Sequence, residues 1–222
     1  MIVGELKALS DIKSMIKGCK QVLVIGCGGC VTVCQTGGLQ EAETLARLLA
    51  IDAPGITVDS LAVPRQCEWE FLEQLDPAIQ GYEMLVSTAC GIGVQAMNQH
   101  FPGIQTVPAL NTRFLGMPVK HGVFEERCQA CGDCMLHLTG GICPVARCSK
   151  SLMNGPCGGS QNGKCEISRE VDCAWQLIYD RLKKLNQMDR LLVLQPPKDW
   201  SLSRDGGVRR MTREDLILDG EE

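Results

Sequence analysis

The cysteines in the second half of the chain have a spacing that suits metal chemistry. Eight of the fourteen cysteines fall within residues 127–173, and Cys128, Cys131 and Cys134 form a C-x2-C-x2-C run. Zinc sites usually present cysteines as separated pairs, whereas three thiolates at a repeat of three can bind one face of a 4Fe-4S cluster, as in bacterial ferredoxins. The run therefore predicts an iron–sulfur site.

Further cysteines in this half could complete two ligand sets. A ferredoxin run normally ends in Cys-Pro three residues later, but here Cys143-Pro144 follows only after an insertion. Eight thiols suit two 4Fe-4S clusters, and spacing alone leaves open which four share a cluster. Zinc alone and free buried thiols are the alternatives. The cysteines that lie near the glycine turns "NGPCGG" and "NGKC" are Cys148, Cys157, Cys165 and Cys173.

A second group of cysteines follows the strands predicted for the first half. Cys27, Cys30 and Cys34 lie in "GCGGCVTVC" after the first predicted parallel strand, and Cys67 and Cys90 follow the next two. Because the carboxyl ends of parallel strands meet at one edge of a sheet, these five thiols are predicted to converge there. A cluster or another metal site is the first interpretation.

Two other interpretations of this edge stay open. A glycine turn for a dinucleotide phosphate would use Gly26 and Gly28, with Asp59 contacting the ribose, but the G-x-G-x-x-G pattern lacks its third glycine. Such a site would make the chain a nucleotide-binding oxidoreductase. The cysteines could also be merely buried. Cys19 lies outside both groups and is predicted to be a structural thiol.

The elements that must position the first group are predicted from hydrophobic periodicity. Residues 1–120 alternate short apolar strands, such as 21–26, 56–63 and 83–88, with helical patterns. We therefore predict an α/β fold whose first domain, residues 1–120, is a small Rossmann-like parallel sheet with the cysteines at its strand ends.

The rest of the chain changes in composition. Residues 121–185 are rich in Cys and Gly and end in a helical pattern over 171–185, which predicts a ferredoxin-like, cysteine-rich domain of short helices and loops stabilised by clusters. Residues 186–222 have no strong period and are predicted to form an extended tail that contacts a partner, with Trp200 as an anchor. Because every cysteine lies upstream, truncation after Lys184 is expected to leave the clusters intact.

Composition and charge exclude several classes of partner. The formal net charge is −4 without a basic block, so neither nucleic acid nor an anionic membrane surface is an expected partner. No apolar run approaches the roughly 18 residues of a membrane span, and charged residues interrupt the first twenty positions where a signal peptide would be apolar. We expect a cytoplasmic protein, in which thiols are reduced and available to metals.

Three blocks together, "ERCQACGDC", "TGGICPVARCSKSLMNGPCGGSQNGKCE" and "DCAWQLIYDRL", resemble the methylenetetrahydrofolate reductase C-terminal domain family. The first half, with "GCGGCVTVCQTGG", "RQCEWEFLE" and "ACGIGVQ", is similar to the amino-terminal part of the small iron–sulfur subunit that accompanies a flavin-containing reductase in acetogenic bacteria. The resemblance covers nearly the whole chain.

The resemblance implies a division of labour in one-carbon metabolism and the Wood–Ljungdahl pathway. The partner, a flavin-containing catalytic subunit, would hold FMN and reduce 5,10-methylenetetrahydrofolate to 5-methyltetrahydrofolate. This chain would be a non-catalytic electron-transfer subunit with two or three 4Fe-4S clusters and with zinc as the alternative at one site. It would receive electrons from ferredoxin or an NADH-oxidising subunit. A zinc-stabilised assembly module of the same complex is the alternative.

Overall fold

The computed structural model describes residues 1–213 and residue 215, which form two units. The first unit spans Met1–Glu126 and the second begins at Arg127. The predicted tail started at residue 186, and its residues 214 and 216–222 lie outside the described residues.

Within the described residues, strands occur in the first unit and at its boundary with the second, apart from isolated bridges. The strands are β1 (Ile2–Leu6), β2 (Gln21–Cys27), β3 (Thr57–Val63), β4 (Met84–Ser87), β5 (Thr106–Pro108), β6 (Leu110–Lys120) and β7 (Val123–Cys128). The α-helices are α1 (Leu9–Met15), α2 (Cys30–Val33), α3 (Leu39–Asp52), α4 (Trp69–Glu73), α5 (Gly91–His100), α6 (Pro144–Arg147) and α7 (Ala174–Lys184). Short 3-10 helices follow at Met188–Leu192, Trp200–Leu202 and Arg204–Gly206.

A parallel four-stranded sheet forms the centre of the first unit, in the order β3-β2-β4-β5. Strand β2 is a nearly continuous apolar run, as expected for a strand covered on both faces. Val22 and Val24 pack on the side of α1 and α3, whereas Leu23 and Ile25 pack on the side of α4 and α5. Alternate side chains of one strand thus anchor two cores. This arrangement confirms the predicted α/β class.

Helix α3 shows why this sequence becomes a helix that lies on the sheet. Its buried residues, Ala42, Leu45, Ala46 and Leu49, recur at intervals of three and four and so form one face. The helix ends at Asp52, and Ala53 lies next to Pro54, whose ring disfavours helical geometry in the preceding residue.

A three-stranded antiparallel sheet, in the order β1-β6-β7, was not expected from the sequence. β1 pairs with β6 in a register that joins Ile2 to Leu115 and Leu6 to Leu110. β6 and β7 are joined at Gly122, whose φ of +72° is a conformation that glycine adopts without strain. Local periodicity does not report a pairing between strands so far apart in sequence.

The second unit contains few regular elements besides α7. Trp175, Ile178 and Leu182 form a small buried core, against which Leu152 and Met188 pack. The predicted stripe of α7 is Ala174, Leu177, Ile178, Leu182 and Leu185. The structure buries Ala174, Ile178 and Leu182 but leaves Leu185 exposed, and Trp175 takes part instead.

Candidate functional site

Three loops bring thiols to the carboxyl edge of the parallel sheet. Cys27 is the last residue of β2, Cys67 follows β3, and Cys90 precedes the first turn of α5. Burial raises the pKa of the Cys67 thiol, and negative charge on Cys27 and Cys90 raises it further. Cys90 packs against the apolar cluster that contains Cys27, and the three residues end or follow the adjacent strands β2, β3 and β4. We call Cys27, Cys67 and Cys90 the sheet-edge thiols.

The two other cysteines of the first group lie differently. Burial raises the pKa of Cys34, whose thiol donates to the carbonyl of Ile2 at 3.5 Å and therefore faces β1. Cys30 and Cys67 both act electrostatically on Arg65, whose pKa is raised chiefly by the hydrogen bond and charge of Glu68. Cys30, the first residue of α2, thus lies close to the sheet-edge thiols and to the Arg65 guanidinium.

A buried glutamine holds two of these loops together. Gln66 is fully buried, and its Nε2 donates to the carbonyls of Ile25 at 2.8 Å and Gly26 at 3.1 Å. Its Oε1 accepts a hydrogen bond of 2.6 Å from the Ser87 hydroxyl. Since Gln66 directly precedes Cys67, this network fixes the Cys67 loop against the ends of β2 and β4. Gln66 was not predicted as a site residue, because the one feature of the sequence that points to it is its position next to Cys67.

Replacement of Gln66 by leucine is expected to lower the unfolding free energy of the first unit by about 2 kcal/mol, because buried polar groups lose their partners. Hydrogen exchange of the β2 and β4 amides measures this loss. The control is Gln74→Leu, since Gln74 is exposed and donates only to the Glu70 carbonyl at 3.2 Å. Equal exchange in the two variants would contradict the role given to Gln66.

The glycines around the first thiols serve backbone packing. A Cβ on Gly26 would lie 2.8 Å from the Gly38 carbonyl oxygen, and one on Gly28 would lie 3.2 Å from the Pro64 oxygen. Asp59, the residue considered for a ribose contact, accepts a hydrogen bond of 2.8 Å from the Tyr82 hydroxyl. These contacts account for both glycines and for Asp59 without a nucleotide.

Four cysteines of the second unit line one pocket. They come from separate loops and from the residue before α7, and we call their site the four-cysteine pocket: Cys148, Cys157, Cys165 and Cys173. Lys150 also lines the pocket and forms an ion pair with Glu166. The amino-terminal end of α7 adds a partial positive charge beside Cys173. Lys150 and Glu166 thus place one charge of each sign on the wall of the pocket.

Hydrogen bonds around Cys165 favour the thiolate form of this one residue. The Ser149 hydroxyl lies 3.4 Å from the Cys165 sulfur. This contact lowers the pKa of the Cys165 thiol, and backbone N–H groups of Ile167 and Ser168 and the charge of Lys150 lower it further. Neither Ser149 nor Lys150 was singled out from the sequence, although both follow Cys148 directly.

The C-x2-C-x2-C run forms a loop over residues 128–134, which we call the cysteine loop. The Ala130 N–H donates to the Cys128 sulfur at 3.3 Å, and Cys131 is buried whereas Cys134 is exposed. Cys143, the proposed continuation of this run, lies at the N-cap of α6, where its sulfur accepts a hydrogen bond of 3.5 Å from the Ala146 N–H.

The segment around residues 198–209 packs against the cysteine loop. Lys198 Nζ donates to the Asp133 carbonyl at 3.2 Å, and Arg209 donates to the Ala130 carbonyl at 3.1 Å. A Cβ on Gly132 would lie 2.4 Å from the Leu202 carbonyl oxygen. Part of the predicted tail is therefore an internal contact of the second unit, which its lack of periodicity did not indicate.

All fourteen cysteines are free thiols in the structure. Within residues 1–213 and 215, no three Cys, His, Asp or Glu side chains lie close enough together to hold a metal ion as they stand. A shared ligand thus requires neighbouring thiols to turn toward each other. Cys19, predicted to be structural, is partly buried against the α1 and α3 core, and burial raises the pKa of its thiol.

Comparison with known proteins links the second half of the chain to one family. Every helix in the described part of the chain is too short or too polar to cross a lipid bilayer. No curated protein and no solved structure matches the chain. Residues 107–201 match the family described as Methylene-tetrahydrofolate reductase C terminal, and this match includes the cysteine loop and the four-cysteine pocket. The chain is therefore similar to the methylene-tetrahydrofolate reductase C-terminal family over residues 107–201.

Proposed function

We propose that this chain is the iron–sulfur electron-transfer subunit of a methylenetetrahydrofolate reductase. The observation that carries the proposal is the four-cysteine pocket inside the family-matched segment. The chain would pass electrons to FMN in a catalytic partner, which reduces 5,10-methylenetetrahydrofolate to 5-methyltetrahydrofolate. Ferredoxin or an NADH-oxidising subunit would supply the electrons, in the cytoplasm.

The donor set of the pocket fits a 4Fe-4S cluster. Four thiols are the ligand number and type that such a cluster takes. The Ser149 hydroxyl, the N–H groups around Cys165 and the Lys150 ammonium would offset the negative charge of four thiolates. When bound, the cluster supplies one-electron transfer, which can load a two-electron flavin in two steps.

Eight of the ten other cysteines belong to two further proposed sites. Cys27, Cys30, Cys67 and Cys90 would bind a second cluster or zinc at the sheet edge, with Arg65 offsetting charge. Cys34 is a weaker candidate ligand, since its thiol is engaged with Ile2. The third proposed set is the cysteine loop with the α6 cap, and its members are Cys128, Cys131, Cys134 and Cys143.

Exposed apolar side chains after α7 support a partner contact. Leu192, Leu194, Val208 and Met211 are each more than 80% exposed, at 86%, 82%, 93% and 86%. Exposed apolar groups concentrated in one segment are typical of interaction sites. We propose that this segment contacts the flavin-containing subunit while residues 198–209 also pack on the cysteine loop.

Cysteine substitution in the anaerobically purified chain tests the proposal. Wild-type protein is expected to contain iron and acid-labile sulfide and to show a broad visible absorbance that dithionite bleaches. Cys165→Ser should remove one cluster's share of iron and sulfide, whereas Cys19→Ser, outside every proposed ligand set, should remove none. A colourless wild-type protein that contains only zinc would instead establish the structural role.

A further inference from the structure

A cavity beside α7 lies outside the cysteine sites. Its volume is about 440 Å3, within the range of roughly 300–1,000 Å3 that is typical of small-molecule sites. Trp175 and Tyr179 of α7 form part of its wall, and Arg190 and Leu191 of the following 3-10 helix contribute to the lining. All of these residues belong to the second unit.

Hydrogen bonds hold the walls of this cavity in place. The indole Nε1 of Trp175 donates to the Leu152 carbonyl at 2.9 Å. The Asn154 side chain donates to the Gln195 carbonyl at 2.9 Å and accepts from the Gln195 N–H at 2.7 Å. The reciprocal pair joins the "NGP" turn to the segment after the 3-10 helix. The cavity is thus preformed, which reduces the entropic cost of binding.

The lining selects an aromatic ligand. Its apolar part combines two rings with thioether and aliphatic groups, and thioethers make favourable contacts with aromatic rings. Tyr179 is 43% exposed and presents a ring that can still gain contacts. The apolar lining residues include Met135, Leu138, Met153, Trp175, Tyr179 and Leu191.

The charge of the lining selects an anion. Among the described residues that line the cavity, Arg190 is the one with a charged side chain. Its guanidinium donates to the His137 carbonyl, which directs the group without neutralising it. A guanidinium has five N–H donors, so others remain for a carboxylate, sulfonate or phosphate.

We propose that this cavity binds a planar aromatic molecule carrying one negatively charged group. The ring packs against Tyr179 and the thioethers, and the anion pairs with Arg190. Pro156, Ser160 and Trp175 line both this cavity and the four-cysteine pocket, so the occupant shares a wall with the four thiols. The inference goes beyond the proposed function, because it requires neither a bound metal nor the catalytic partner.

A matched pair of probes tests both parts of this proposal in the full chain as purified. The anion 8-anilinonaphthalene-1-sulfonate is expected to bind at one saturable site, measured by fluorescence titration and equilibrium dialysis. N-phenyl-1-naphthylamine has the same rings without the sulfonate and should bind at least tenfold more weakly. Several weak sites, or equal affinity for the two probes, overturn the proposal.

Variants locate the site and separate charge from folding. Arg190→Gln should abolish the preference for the sulfonate, and Arg190→Lys should keep most of it. Tyr179→Leu should weaken both probes about tenfold, whereas Tyr82→Leu, in the first unit, should weaken neither. Far-UV circular dichroism verifies that each variant is folded. Undiminished binding to folded Tyr179→Leu protein would place the probe elsewhere and refute the assignment.

Discussion

Replacement of Gly37 by alanine is expected to destabilise the first unit by about 3 kcal/mol, because the added methyl group would overlap atoms already packed against the Gly37 backbone. A Cβ on Gly37 would lie 2.0 Å from the Thr88 carbonyl oxygen and 2.6 Å from the Val31 side chain. The Gly37 carbonyl also accepts hydrogen bonds from the Cys27 N–H at 2.7 Å and the Thr88 hydroxyl at 2.8 Å. These bonds tie the segment around Gly37 to the ends of β2 and β4. The segment cannot move away to make room for a methyl group without losing them.

Hydrogen exchange of the slowest β2 and β4 amides gives the size of this loss. The control is Gly103→Ala, because a Cβ on Gly103 meets no atom within 4 Å. The sheet-edge thiols should also become more reactive in the Gly37 variant than in the control. If the unfolding free energies of the Gly37 and Gly103 variants lie within about 0.5 kcal/mol of each other, the backbone around Gly37 tolerates a methyl group.

Truncation after Pro197 is expected to open the cysteine loop. Cys131 is only 8% exposed in the full chain, and the truncation removes the Lys198 and Arg209 side chains, which donate to the loop carbonyls. We expect alkylation of Cys131 in metal-free protein to accelerate at least tenfold, and the cluster proposed for this loop, when bound, to release iron faster to a chelator. Mass spectrometry of labelled peptides measures the first effect. This differs from the sequence-based expectation that truncating the tail leaves the clusters intact.

Two matched pairs of variants distinguish the loss of the contact between residues 198–209 and the cysteine loop from a general loosening of the second unit. Arg209→Ala should accelerate Cys131 labelling, whereas Arg210→Ala should change it little. Of these two arginines, Arg209 is the one with a described hydrogen bond to the loop. Gly132 and Gly141 have nearly equal φ angles, +87° and +88°, but a Cβ meets Leu202 only at Gly132. Alanine at Gly132 should therefore lower the unfolding free energy of the second unit more than alanine at Gly141 does. Truncation after Pro197 should remove this difference. Labelling rates unaffected by truncation would mean that residues after Pro197 do not protect the loop.

Much of the fold could be predicted from the sequence because local patterns report burial. The apolar run of β2 indicates a strand covered on both faces, and the three-and-four spacing of α3 indicates one buried face. Parallel strands run in the same direction, so their carboxyl ends lie at one edge of the sheet. The placement of Cys27, Cys67 and Cys90 at that edge follows from the order of strands and helices along the chain. These inferences need only windows of ten or twenty residues.

Other features depend on contacts between distant residues. The pairing of β1 with β6 joins segments more than a hundred residues apart, and the Cys34 thiol donates a hydrogen bond to Ile2 of β1. Gln66 has the same local pattern as an exposed glutamine, and only the carbonyls of β2 and the hydroxyl of β4 give it a buried role.

The sequence by itself determined the cysteine spacing, the α/β class and the resemblance to a reductase family. Tertiary structure decided which thiols line one pocket: Cys148, Cys157, Cys165 and Cys173 do so, although the first and the last are 25 positions apart. It also decided that residues 198–209 lie on the cysteine loop. The physical reason is that backbone hydrogen bonds and steric fit between remote segments, which have no periodicity along the chain, set the direction of each side chain.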